Sequence, residues 1–166
     1  MTNIALPQFH PVPTTNVDPA LSREAESVRR ALGRIAPEAG GQVRSSAKRE
    51  ALARLNEAFV RGLAYNRDGE GALPVEETAY EYARRLIELL PIDVPVPEIY
   101  PEPDGDLAIE WDLGTRRVLS ISVSRDGTLN YAGLFGRRKL HGVEFLGDRI
   151  PPAIWIALTE LVRPER

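Results

Sequence analysis

Apolar positions recur along this chain in two rhythms, first helical and then alternating. Leu21, Ala25, Val28, Leu32 and Ile35 stand alternately four and three apart, flanked by Arg23, Glu24, Glu26, Arg29, Arg30 and Arg34. That spacing predicts a helix over 19–36 with one narrow heptad seam. Asp18 is its N-cap, Pro19 its first helical position, and Pro37 ends it. So short a heptad run does not hold a coiled coil by itself, so the seam must pack on the next helix, a second copy or a partner. Gly40-Gly41 then predicts a flexible connection. A second helix from Ser45 or Ser46 toward Tyr65 places Ala51, Leu52, Leu55, Ala58, Phe59 and Leu63 on one face. The stretch Asn66-Arg67-Asp68-Gly69-Glu70-Gly71 breaks it, because Gly, Asn and Asp accept the positive φ that a tight reversal needs. A third helix starts at Pro74 and buries Val75, Ala79, Tyr82, Ala83, Leu86, Ile87 and Leu90 before Pro91 stops it.

Beyond residue 91 the period falls to two. The stretch 94–101 is held extended by Pro95, Pro97 and Pro101, and is at most an edge strand. Leu107, Ile109, Trp111 and Leu113 alternate with Ala108, Glu110 and Asp112, and Leu119, Ile121 and Val123 with Ser120, Ser122 and Ser124. Asp126-Gly127 is the strongest hairpin signal; Leu129, Tyr131, Gly133 and Phe135 follow on the return strand. A further short strand falls near Leu140 to Leu146. Pro151-Pro152 opens a closing helix with Ile154, Ala157, Leu158 and Leu161 toward the core. Helices followed by hairpin-linked strands specify an α+β fold: an N-terminal arm and three helices, a four-stranded antiparallel meander, and a C-terminal helix. One sheet face is covered by helices; the other is open and carries Glu110, Asp112, Ser120, Ser122, Ser124 and Asn130. The domain organisation is a Pro-rich extended arm (1–18), the heptad helix (19–36), and an α+β domain (42–166).

Composition narrows the chemistry. The chain has 166 residues with 43% hydrophobic and 27% charged side chains, an ordinary globular balance. A chain of this size buries roughly 70% of its unfolded surface, enough for a core without metal or cross-link. It contains no Cys, which removes disulfides, thiolate metal sites and cysteine nucleophiles together. The net charge of −3 argues against a general nucleic-acid or acidic-membrane binder. Residues 1–13 carry no Lys or Arg and no apolar run, so no signal segment is expected there, and the longest apolar run, 153–162, is about half of what a bilayer span requires. A cytoplasmic location is expected, without contact to membrane.

Chemistry concentrates at Tyr131 to His141, where Arg137, Arg138 and Lys139 follow Gly136. Three adjacent cations make a local positive patch in an acidic protein. It suits an acidic protein partner, or less well a nucleic acid, and lacks phosphate-loop spacing. Glu110, Tyr131 and His141, together with Arg137, are the alternative: a small pocket at one end of the sheet for an enzyme or a nucleic-acid-processing factor. His141 and Glu144 are three apart on one strand, hence on opposite faces. Glu110 and Asp112 share a face roughly 7 Å apart, with Arg116, Arg117 and Arg125 available to pair with them. His10 lies in the arm, so neither His marks a metal site, and no cofactor motif is present. The arm offers Ile4, Leu6, Phe9, Val12 and Val17 as isolated apolar anchors between prolines, which lower the entropy lost on docking.

Three stretches also carry a family resemblance. They are Asn66 to Pro74, Leu90-Pro91, and Pro103-Asp104-Gly105-Asp106-Leu107-Ala108-Ile109-Glu110-Trp111. They resemble a widespread group of bacterial proteins with an Asn-Trp-Asp-Gly-x-Gly-Ala-x-Pro turn, a helix ending in Leu-Pro, and a Pro-x-Asp-Gly turn before a Leu-x-Ile-Glu-Trp strand. The likeness spans about residues 60–163, and Arg67 stands where the group has an aromatic. It implies domain limits, and a place in mobile or toxin–antitoxin-like gene surroundings, rather than a reaction. The expected function is a non-enzymatic interaction protein, antitoxin- or immunity-like or a scaffolding subunit, that binds another protein. Phe9, Leu21, Val28, Leu32 and Ile35 supply apolar anchors and Arg137, Arg138 and Lys139 supply charge. The first helix offers a route to homo-oligomers.

Overall fold

The computed structural model describes residues 40–66, 68–114 and 116–163, with side chains from Ser46 onward. The expected arm and heptad helix, and with them Phe9, His10, Leu21, Val28, Leu32 and Ile35, lie outside the described residues. The elements run α1 (Gly40–Gly62), α2 (Glu77–Leu89), β1 (Glu98–Pro101), β2 (Leu107–Asp112), β3 (Arg117–Val123), β4 (Thr128–Phe135), β5 (Arg138–Phe145) and α3 (Pro152–Val162). The class is α+β with an antiparallel sheet.

The strands form one sheet in the order β1-β2-β3-β4-β5, each antiparallel to its neighbour. The sheet therefore has five strands, not four. The additional strand is the Pro-bracketed segment, which pairs Glu98 with Glu110 and Ile99 with Ile109 at one edge. Pro97 and Pro101 are tolerated there because an edge strand needs donors on one side alone. Two helix starts also differ from expectation. Gly40 and Gly41 are the first residues of α1 rather than a hinge. Helix α2 starts at Glu77 rather than Pro74, because the chain before it is tied elsewhere: Leu73 N–H donates to Pro103 O (2.8 Å) and Val75 N–H to Gly62 O (2.9 Å).

Helix α1 packs on β1 and α2, α2 on β2 and β3, and α3 on β3, β4 and β5. Ala51, Leu55 and Ala58, at helical spacing, are the buried stripe of α1; Leu63, expected on it, is exposed in the turn that follows. Alternate strand residues complete the core: Ile99, Leu107, Ile109, Trp111, Leu119, Ile121, Val123, Leu129 and Phe135 are buried against Leu86, Ile87, Ile154, Leu158 and Leu161. The Trp111 indole N–H donates to Pro95 O (2.7 Å), satisfying its one polar atom and pinning the lead-in to β1. Between β3 and β4, Gly127 has φ +85° and lies under the Tyr82 ring, where a Cβ would come within 2.7 Å of a ring carbon. Only glycine meets both conditions there. No helix among the described residues is long and apolar enough to cross a membrane.

Candidate interaction surface

The registers place one set of side chains on the sheet face away from the helices. Reading across the strands, these are Glu98 and Tyr100, then Ala108, Glu110 and Asp112, then Val118, Ser120 and Ser122, then Thr128, Asn130, Ala132 and Leu134, then Lys139, His141, Val143 and Phe145. No described element covers this face, and its two ends differ in charge.

The end at β1 and β2 is acidic. Glu102, Asp104 and Asp106 lie in the turn between those strands and bring one carboxylate oxygen each within 4.8 Å of one another. Backbone geometry holds them there: Glu102 N–H donates to Asp106 O (2.9 Å), Gly105 N–H to Glu102 O (3.2 Å), and Asp106 N–H to Asp104 Oδ1 (3.2 Å). The Ser122 hydroxyl donates to Glu102 and the Ser124 hydroxyl to Asp106. Burial raises the Glu102 carboxyl, the Ser122 hydrogen bond opposes that shift, and the charges of Asp104 and Asp106 add to it. The Tyr100 hydroxyl donates to Glu110 Oε2 (2.8 Å). The phenol is pushed up to about 12, first by burial, then by that hydrogen bond and the charges of Glu110 and Glu102. Hard oxygen donors of this kind are the described residues' candidates for a hard cation. The same oxygens already accept from Ser122, Ser124 and the backbone, which is reason enough for their clustering.

The opposite end is basic. Gly136 (φ +61°) and Arg137 form the two-residue connection between β4 and β5, with glycine first as a type II′ turn requires. Arg137 and Lys139 are exposed and make no ion pair among the described residues. Arg138 is different. Its Nη1 donates to Glu160 Oε1 (2.9 Å) on α3, and Glu160 is only 12% exposed, so one side of this guanidinium is held within the chain.

The alternative pocket does not form. Tyr131 pairs with Ile121 and Gly142 on the helix-covered face and lies across Gly142, whose missing side chain leaves room for its ring. Glu110 and His141 are on the open face but on β2 and β5, three strand spacings apart, roughly 14 Å. Glu110 is engaged by Tyr100, and His141 is exposed without a hydrogen bond among the described residues. Of the arginines expected to pair with Glu110 and Asp112, two are committed elsewhere: Arg117 donates to Leu161 O at the end of α3, and Arg125 pairs with Glu76, the N-cap of α2. Asp112 Oδ1 accepts from Gly114 N–H (2.8 Å) in the next turn. Asp68 closes its own turn, accepting from the N–H groups of Glu70 (2.9 Å) and Ala72 (3.1 Å).

The sequence reading missed the acidic turn and the Arg138–Glu160 pair. The first had a visible signal, three acids at alternate positions around Gly105. The second had none, because it joins residues 22 apart on different elements. Two cavities stand out among the described residues. A recess lined by Ala51, Ile87, Leu90, Val94 and Pro97 has a volume of about 30 Å³, room for one water. A hollow of about 550 Å³ is an open groove along a single face of α2. No family model, no curated protein and no solved structure matches this chain.

Proposed function

We infer that this chain is a non-enzymatic interaction protein that neutralises or scaffolds a protein partner, of the kind found in bacterial defence or toxin–antitoxin-like systems. One observation carries the reading: a sheet face with opposite charge at its two ends that no element covers among the described residues. A polar face that gathers no pocket can still recognise a partner by charge complementarity, which sets orientation and encounter rate more than raw affinity. Arg137 and Lys139 are the cations free to meet acidic groups; Ala132 marks the middle of the face.

In-cell photo-cross-linking tests this directly. A photoreactive residue at Ala132 should capture a different protein, and Lys139→Glu should reduce that yield several-fold, whereas the same probe at Glu57 on α1 should capture none. Equal yields from Ala132 and Glu57 would overturn the reading. Affinity for a labelled oligonucleotide that falls steeply with salt would redirect it to nucleic acid.

A further inference from the structure

Strand β5 ends the sheet with an unguarded edge. It pairs with β4 over all eight residues without a bulge, contains no proline, and has no strand on its outer side among the described residues. Leu146 N–H donates across to Gly127 O (2.9 Å), so by alternation the amides of Arg138, Leu140, Gly142 and Glu144 face β4. The amides and carbonyls of Lys139, His141, Val143 and Phe145 therefore face outward. None of these four has a hydrogen-bond partner among the described residues. Val143 and Phe145 are also 65% and 61% exposed, an apolar pair on an open edge. Such an edge is a template for another strand.

We propose that the strand it takes is β5 of a second copy, antiparallel and with the two-fold axis at His141. This register sets complementary residues of the two copies opposite one another. Arg138 falls opposite Glu144 of the second copy, Lys139 opposite Val143, and Leu140 opposite Gly142. Opposite charges meet twice, and a bulky side chain faces a glycine twice. Lys139, His141 and Val143 become hydrogen-bonded pairs, about six backbone bonds in all. Moving the axis to Leu140 sets Lys139 against His141; moving it to Gly142 sets Glu144 against Leu140 and leaves Arg138 without an acid. Glu160 holds Arg138 from its own side through Nη1, leaving other guanidinium donors free for the incoming carboxylate. With the axis normal to the sheet, the open faces of both copies join into one. The inference thus extends the proposed function, and rests on it only for what that joined face then meets.

Analytical ultracentrifugation of the full chain tests the pairing. Wild type should sediment as a dimer at tens of micromolar. Val143→Pro removes an outward N–H and should weaken the dimer at least about tenfold with an unchanged circular dichroism spectrum. Glu144→Arg sets Arg against Arg138 and should weaken it similarly, while Arg138→Glu with Glu144→Arg should recover most of the loss. A wild-type chain monomeric to about 500 μM, or a dimer indifferent to both Val143→Pro and Glu144→Arg, would sink the proposal. A monomer that still cross-links a different protein from Ala132 leaves the proposed function standing. A β5 dimer that cross-links nothing else does the reverse.

Discussion

The two edges of the sheet solve the same problem in opposite ways. At β1 the outer side is occupied. The strand has four residues, prolines stand at 97 and 101, and α1 supplies Arg61 to Ile99 O (3.2 Å) and Arg54 to Pro97 O (3.1 Å). Arg54 also reaches Glu98 at 2.6 Å and Glu50 at 2.9 Å, which holds it over the strand. At β5 the strand is twice as long, contains no proline, and shows apolar side chains to solvent. Short length, proline and cover are the usual protections of an edge, and among the described residues one edge has all three while the other has none. A sheet guarded on one side alone is directional: among the described residues the side left open is β5.

The largest expected effect comes from dismantling the guarded side. Trp111 is 2% exposed and ties Pro95 to the sheet, so Trp111→Ala should cost about 3–5 kcal/mol in chemical denaturation. A proline pair at β5 sharpens the contrast within one strand. Gly142→Pro removes an inward-facing donor and drives a Cβ toward the Tyr131 hydroxyl, 2.8 Å away, and should cost about 3 kcal/mol. Val143→Pro removes an outward donor and should cost the monomer about 1 kcal/mol or less. Equal costs would mean that the outward row is already engaged. Arg61→Ala uncovers the Ile99 carbonyl and should cost about 1 kcal/mol, with faster amide exchange in β1 and none in β4. The smallest change is a titration. Glu110→Gln removes a negative charge beside Tyr100, so the phenol should fall from about 12 toward its usual 10.0, with burial holding it above that value, as followed by tyrosinate absorbance. A phenol raised by folding contributes stability that is complete below the unfolded value of 10.0 and is lost as pH rises through about 12. Glu110→Gln should shrink that alkaline loss.

Much of this contrast could be read before any coordinates. Alternation at Leu119, Ile121 and Val123, and again at Leu129 to Phe135, located β3 and β4, and Asp126-Gly127 located their turn. The same parity already separates Tyr131 from Asn130 and so from the open face; following it strand by strand would have dispersed the pocket of Glu110, Tyr131 and His141. The strand β1 was harder. Its prolines deny it an alternating pattern, and it is a strand because Ile99 is buried against β2 and α1 covers its outer side. The start of α2 was misplaced for a similar reason, since the bonds that hold Leu73 and Val75 outside the helix come from Pro103 and Gly62.

Local pattern alone determined which segments are helical or extended, which way each strand turns its apolar side, and that a positive patch follows Gly136. Those properties depend on residues within a turn or two of one another, where periodicity and backbone preference act directly. Which strand lies at an edge, which edge α1 covers, and that Arg138 is taken by Glu160 whereas Arg137 and Lys139 are not, were decided by packing. Such outcomes depend on pairs distant along the chain, whose meeting is governed by the burial of the whole core rather than by any neighbour in sequence.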